Sequence, residues 1–331
     1  MLPTAAMDYQ KSQTREQQAA TKALLKEWRR MGADFDASWA LIAANVSAVM
    51  LTAQTRIAEQ AVEYIPDVLE DTGQTRAISA SDEVNPRALV GVTASGLSVD
   101  EALFGSVVAS KIAVRDGATV TQALKVGANR LTRTAGTIMS DTGRGGERLG
   151  MAVRPVTGYV RMLTPPSCGR CAILAGQHYS SSTPFRRHPK CDCRHIPSTE
   201  AMSDDLTTDP QEYFDSLPTA EELAEKYPDL TVKMRNEAGI YSQEDVFTKG
   251  GAEAIRNGAD VSQVINARRG TKTTADGLKA TTAGITRRGW YGGHTAAGRA
   301  GKARLMPEAL QRMAKNKAEY LRLLKNYGYI I

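Results

Sequence analysis

Along the first third of the chain apolar residues recur every three or four positions, the spacing of helices that bury one side. Asp8 to Arg30 holds no Gly or Pro and is rich in Gln, Ala and Lys, which predicts a first helix stopping at Gly32. Asp36 offers an N-cap to a long second helix ending before Pro66, with Trp39, Ile42, Val46, Val49, Ala53 and Ile57 on one face. Residues 66–96 are punctuated by Asp, Gly, Ser and Asn-Pro and predict an irregular hinge. Ser98, with Glu101 at capping-box distance, opens a third helix that runs to Arg115 and stops at Asp116-Gly117. Thr119 starts a fourth, through about Ala135, and the two make a hairpin with small residues in contact.

Gly143, Gly145 and Gly146 are expected to break the helical series, and the period then changes. Thr157 to Leu163 is β-like, with short strands expected around Ala172 to Leu174 and Asp192 to Ile196. Residues 201–230 read as an acidic linker with one helix opening at Thr219-Ala220-Glu221-Glu222. Two short helices follow, Asp245 to Asn257 and Val261 to Arg268. Residues 269–303 hold eight glycines and few large apolar residues, which predicts an extended or mobile arm. A last helix, capped near Met306-Pro307-Glu308, carries Leu310, Met313, Tyr320, Leu323 and Leu324 on its apolar side. The predicted class is α+β: an N-terminal helical arm (1–66), a helical hairpin region (67–156), a small zinc-pinned β region (157–200), an acidic linker (201–250) and a basic C-terminal extension (251–331).

At 331 residues and 42% hydrophobic the chain can bury at least one core, while 6% aromatic content favours packing of small residues. The stretch Ala37 to Thr55 has no charge, yet Ser38, Asn45, Ser47, Thr52, Gln54 and Thr55 make it a buried amphipathic helix rather than a membrane span. Met1 to Arg30 lacks the apolar core of a secretory leader, so folding in the cytoplasm is expected. The net charge of +6 conceals an uneven distribution. After residue 250 there are 15 Lys and Arg against 5 Asp and Glu, whereas 201–250 holds 4 against 12. A basic tail of this kind suits nucleic acid or an acidic protein surface.

All four cysteines fall between Cys168 and Cys193, as Cys168-x2-Cys171 and then His188-x2-Cys191-x-Cys193-x-His195. Two paired soft-ligand clusters joined by a loop are what a tetrahedral site needs, because each pair chelates locally and the loop brings the pairs together. A structural Zn2+ is the sharpest reading, since disulfides leave the histidines unexplained. Six candidates compete for four positions: Cys168 and Cys171 form the safest pair, with the other two drawn from His188, Cys191 and Cys193. Cys191, Cys193 and His195 point to one side if the segment is extended. The acid within the cluster, Asp192, then turns away, which favours a closed site over a catalytic one.

Paired arginines beside glycine recur at Arg268-Arg269-Gly270 and Arg287-Arg288-Gly289, an arrangement able to straddle a phosphate backbone, with Trp290 and Tyr291 following as stacking candidates.

Ser167-Cys168-Gly169-Arg170-Cys171-Ala172-Ile173-Leu174-Ala175-Gly176, followed by Phe185, His188-Pro189-Lys190-Cys191-Asp192-Cys193 and Ile196-Pro197, resembles the phage Mu F-like head morphogenesis proteins. The likeness covers about residues 90 to 197, and the two Arg-Arg-Gly turns with Arg304-Leu305-Met306-Pro307 look like the version in phages of actinobacteria. Ala175 stands where many members have Asp, and Asp192 where they have Arg. The resemblance implies a minor capsid protein near the portal, inside the virion capsid after assembly in the host cytoplasm. Its implied partners are the portal, scaffold and major capsid proteins and double-stranded DNA, with no membrane. Its implied role is in prohead assembly and DNA packaging or ejection.

Two other classes compete with that role. Genes of this type are also described as capsid maturation proteases or fusions with one. The histidines here are 178, 188, 195 and 294, and neither His178 nor His294 has a recognisable nucleophile partner. A zinc-stabilised nucleic-acid-binding or nuclease module would draw on the cysteine spacing and the basic tail, but no metal-binding acid stands beside the cluster.

Overall fold

A computed structural model describes residues 2–163, 167–183, 193–198 and 209–331. The protein is mixed α+β, mainly helical toward its N-terminus, with two small antiparallel sheets among the described residues. It divides into two compact units, 1–164 with 176–207 and 165–175 with 208–331.

In the first unit α1 (Thr4–Trp28), α2 (Phe35–Asp71), α3 (Val99–Arg115) and α4 (Val120–Ala152) pack around Leu24, Trp28, Ile42, Val46, Met50, Ile57, Leu103, Val107, Leu131 and Met139. Local chemistry sets most of the starts. Asp34, rather than Asp36, caps α2 by accepting from the Ala37 N–H at 3.0 Å. Ser98 with Glu101 and Thr119 with Gln122 form complete capping boxes on α3 and α4.

Two expected breaks do not occur. α2 runs through Pro66 to Asp71, and α4 runs through Gly143, Gly145 and Gly146 to Ala152. Gly143 lies against Arg194 and Gln13 and Gly145 against Leu89, while Gly146 and Gly150 mark a close approach of α4 to α2. A Cβ on Gly146 would stand 2.6 Å from Ala61 Cβ and 2.9 Å from the Ala58 carbonyl oxygen. One on Gly150 would stand 2.7 Å from Ile65 Cγ1 and 3.4 Å from the Val62 oxygen, the acceptor that Pro66 leaves without its helical donor. These glycines are the contact surface, and the packing outweighs their low helix propensity of about 1 kcal/mol each. By length and apolarity α2 also qualifies as a membrane-crossing helix; its stripe Ile42, Val46, Met50 and Ile57 is fully buried in this core.

The β region forms a sheet of β1 (Gly158–Met162), β2 (His178–Ser180) and β3 (Arg194–Ser198), with β1 central and Arg161 opposite His195. The strand expected at Ala172 to Leu174 is instead a helical turn, α5 (Gly169–Ala172), closed by the Ala172 N–H donating to the Cys168 oxygen at 3.1 Å.

The second unit holds α5 with α6 (Pro210–Ser216), α7 (Ala220–Lys226), α8 (Val232–Glu237), α9 (Gln243–Phe247), α10 (Lys249–Arg256) and α11 (Val261–Asn266). It continues through β4 (Thr271–Thr273), β5 (Lys279–Thr281), α12 (Trp290–His294), α13 (Ala296–Arg299), β6 (Arg304–Leu305), α14 (Pro307–Met313) and α15 (Lys317–Asn326). The segment read as an acidic linker is part of this unit from residue 209, where Tyr213 and Phe214 pack with Phe247. The glycine-rich segment read as a mobile arm is folded too. Its strands β4 and β5 join β6 in one sheet, Tyr291 is buried within the segment, and Arg304 of β6 is buried beside it. Arg304 donates to the carbonyls of Tyr327, Ala283 and Gly328 and to Gln263 Oε1, and its guanidinium lies 4.5 Å from the Tyr329 ring centroid. A buried cation bonded to backbone oxygens replaces the large apolar side chains that this segment lacks.

Candidate metal centre and a buried polar clamp

Cys168 is the extended residue at the N-terminus of α5 and Cys171 lies within that turn, so the two thiols converge. Their sulfurs are 3.6 Å apart. Two thiolates on a tetrahedral Zn2+ with bonds of about 2.3 Å sit roughly 3.8 Å apart, whereas a disulfide requires about 2.05 Å. The pair therefore fits one edge of a metal tetrahedron.

The surrounding residues hold the turn in place. Tyr213 Oη accepts from the Ser167 N–H at 3.0 Å and donates to the Ser167 oxygen at 2.7 Å, while Arg170 donates to Asn266 at 2.8 Å. Gly169 packs closely, since a Cβ there would meet Ile265 Cδ1 at 2.4 Å and displace that side chain.

His188 and Cys191 lie outside the described residues. Cys193 belongs to the first unit and is buried, with Arg161 Nη2 3.5 Å from its sulfur. A guanidinium N–H suits a sulfur bearing negative charge, as a metal-bound thiolate does. Among the described residues no three His, Cys, Asp or Glu side chains gather into a metal-binding group.

His195, the sixth candidate by spacing, is turned to Glu147. Its Nδ1 hydrogen-bonds Glu147 Oε2, and its backbone N–H donates to the same oxygen at 3.0 Å. Tyr9 donates to Glu147 Oε1 at 2.8 Å, Tyr64 donates to the His195 carbonyl at 3.0 Å, and the Tyr9 and Tyr64 rings stack at 4.2 Å. Next to them Arg194, fully buried, donates to Gln10 Oε1 at 3.1 Å and to the Ser140 carbonyl at 3.2 Å, with its Nε 3.9 Å from Glu147. Arg144 reaches the Cys193 carbonyl at 3.2 Å and Asp141 at 2.5 Å.

Burial alone would push the Glu147 carboxyl up, but His195 and Arg194 outweigh it and hold it below the usual range. Burial pushes His195 down despite the attraction of Glu147. The Tyr-Glu-His order resembles a proton relay. With Glu147 at 0% exposure and His195 at 2%, it has no access for substrate and acts as a clamp tying β3 to α1, α2 and α4.

Sequence reasoning missed this clamp. The one local signal was a pair of arginines, Arg161 and Arg194, at the same end of an otherwise apolar strand pair.

The remaining candidates scatter. Arg268 is half-buried and ion-paired to Glu308, with a second bond to Thr248, while Arg269, Arg287 and Arg288 are exposed. His294 stacks on Trp290 at 4.5 Å, and His178 Nε2 lies 3.4 Å from the Ser198 oxygen. No family model, no curated protein and no solved structure matches the chain.

Proposed function

We propose that the chain is a phage head-morphogenesis protein, a minor capsid component acting near the portal in prohead assembly and in DNA packaging or ejection. The observation that carries this reading is the ordered pattern Cys168-x2-Cys171, His188-Pro189-x-Cys191-x-Cys193 and Pro197, whose first pair stands at a tetrahedral-edge separation of 3.6 Å.

In this reading a structural Zn2+ is held by Cys168 and Cys171 with two ligands from His188, Cys191 and Cys193, and it fixes a segment poor in apolar residues. The basic region 251–331 meets DNA or an acidic portal or scaffold surface through Arg269, Arg287 and Arg288.

Two measurements test it. Elemental analysis of protein purified without added metal is expected to give about one zinc per chain, lost in Cys171→Ser; a Cys168–Cys171 disulfide with no zinc sinks the metal site. Co-expression with the portal, scaffold and major capsid proteins of the same phage genome is expected to place the chain in sedimenting proheads at low copy. A chain that stays in the supernatant whether or not portal is present rules out the assembly role.

A further inference from the structure

We infer that the outward face of α3 is a homotypic docking surface on which two copies of the chain pair antiparallel about Val108. α3 is apolar on both sides. Val99, Leu103, Ser106, Val107 and Ser110 face the core, while Phe104, Val108 and Ile112 are 38%, 41% and 43% exposed on three successive turns of the opposite side. Beside that ridge stand Gly105 and Ala109, one turn apart, and a Cβ on Gly105 would meet nothing within 4 Å. Ridges at i±4 spacing seat in the grooves of a neighbouring helix.

Charge selects the occupant. At about 100° per residue, Glu101 and Arg115 both point within about 20° of Val108, one near each end of the same face. A two-fold axis through Val108 sets Phe104 against Ile112 of the second copy and Glu101 against its Arg115. The face is thus complementary to itself in shape and in charge, which is what an isologous pair requires. The two other charges on this flank of α3 are turned to α2: Lys111 pairs with Asp36 at 2.6 Å and Asp100 accepts from Ser47. Arg115 has one local partner, Asp116 at 2.9 Å, itself exposed. α2 extends the surface, since Trp39 meets Phe104 edge-on at 6.1 Å and Leu41, at 74% exposure, stands on the outside of the uncharged stretch. The missing charges of Ala37 to Thr55 thereby gain a reason that burial alone does not supply. This inference stands independently of the head-morphogenesis reading.

Light scattering on the full chain tests it. The expected mass is twice 35.7 kDa, falling to 35.7 kDa on dilution. Val108→Arg is expected to give the single-chain mass with an unchanged helical spectrum. Arg115→Glu and Glu101→Arg place like charges across the axis, so each alone is expected to be monomeric. Their equimolar mixture restores both ion pairs and is expected to form a heterodimer. That rescue is insensitive to the capping role of Glu101. A native chain that is monomeric at every concentration overturns the proposal, as does a Val108→Arg dimer. A monomer that needs Val108 for entry into proheads, or for flotation with anionic vesicles, overturns it as well by assigning the face to another occupant.

Discussion

Glu147 has no exposure to solvent and holds three elements at once through Tyr9, His195 and Arg194. Truncating one member of such a network strands the others. Glu147→Ala is therefore expected to cost about 3–5 kcal/mol in chemical denaturation, and Glu147→Gln, which keeps the shape, less. The pH dependence has a definite sign. A carboxylate held below its ordinary value contributes stability that is complete above an unfolded pKa of about 4.3 and is lost as the pH falls through the folded value. The native protein should lose stability in that acid window, and Glu147→Gln should lose less.

Thr248 is a second special residue, with φ +67° and ψ 157°, a region that β-branched side chains rarely enter. Its hydroxyl accepts from the Gly251 N–H at 3.4 Å and from Arg268. Thr248→Ala keeps the strain and loses both bonds, whereas Thr248→Gly loses the bonds and relieves about 1–3 kcal/mol of strain. Alanine should be the more destabilising change, and the reverse order in a urea titration would refute the strain. Neither residue was visible in the sequence, since a buried carboxylate or a positive φ depends on partners distant along the chain.

At the scale of elements, part of what is local was legible: the starts of α3 and α4 were, whereas the cap of α2 and the turn α5 were not. Ser98 with Glu101 and the start at Thr119 were read from within four residues, and the structure has both, adding Gln122 as the partner of Thr119. The glycines of α4 misled because their meaning depends on what packs against them, Arg194 at Gly143, Leu89 at Gly145 and α2 at Gly146. That difference can be measured within α4 itself. A Cβ on Gly136 meets nothing within 4 Å, so Gly136→Ala is expected to stabilise the helix by about 0.5–1 kcal/mol. Gly146→Ala drives a methyl to 2.6 Å from Ala61 Cβ and should destabilise by about 1–3 kcal/mol. Equal effects at the two sites, read as shifts in the thermal midpoint, would remove helix contact as the cause. The same blindness turned residues 269–303 into an arm on paper: glycine content suggested mobility, and the anchoring by Tyr291 and Arg304 is a tertiary fact.

Over the whole molecule, the approach of Cys168 to Cys171 was legible because a Cys-x2-Cys pair closes within one helical turn, while the division of the chain was not. Contacts join 165–175 to 208–331 and leave 176–207 with the N-terminal helices, so the motif is shared between units that no composition boundary marks. Charge is the other whole-molecule property, and the structure narrows what it can do. Of the four arginines that the sequence offered to a phosphate backbone, Arg268 is committed to Glu308, leaving Arg269, Arg287 and Arg288 exposed. Each neutralised phosphate adds roughly 0.9 to the log-log salt slope of duplex binding. If the C-terminal unit meets DNA, changing these three to Ala should flatten the slope by about 2 to 3. Arg268→Ala should leave the slope unchanged and lower the thermal midpoint, because it breaks an internal ion pair rather than a phosphate contact. A triple variant with the native slope would move DNA binding away from these turns, and one that binds no DNA in either form yet fails to enter proheads would assign them to an acidic protein surface.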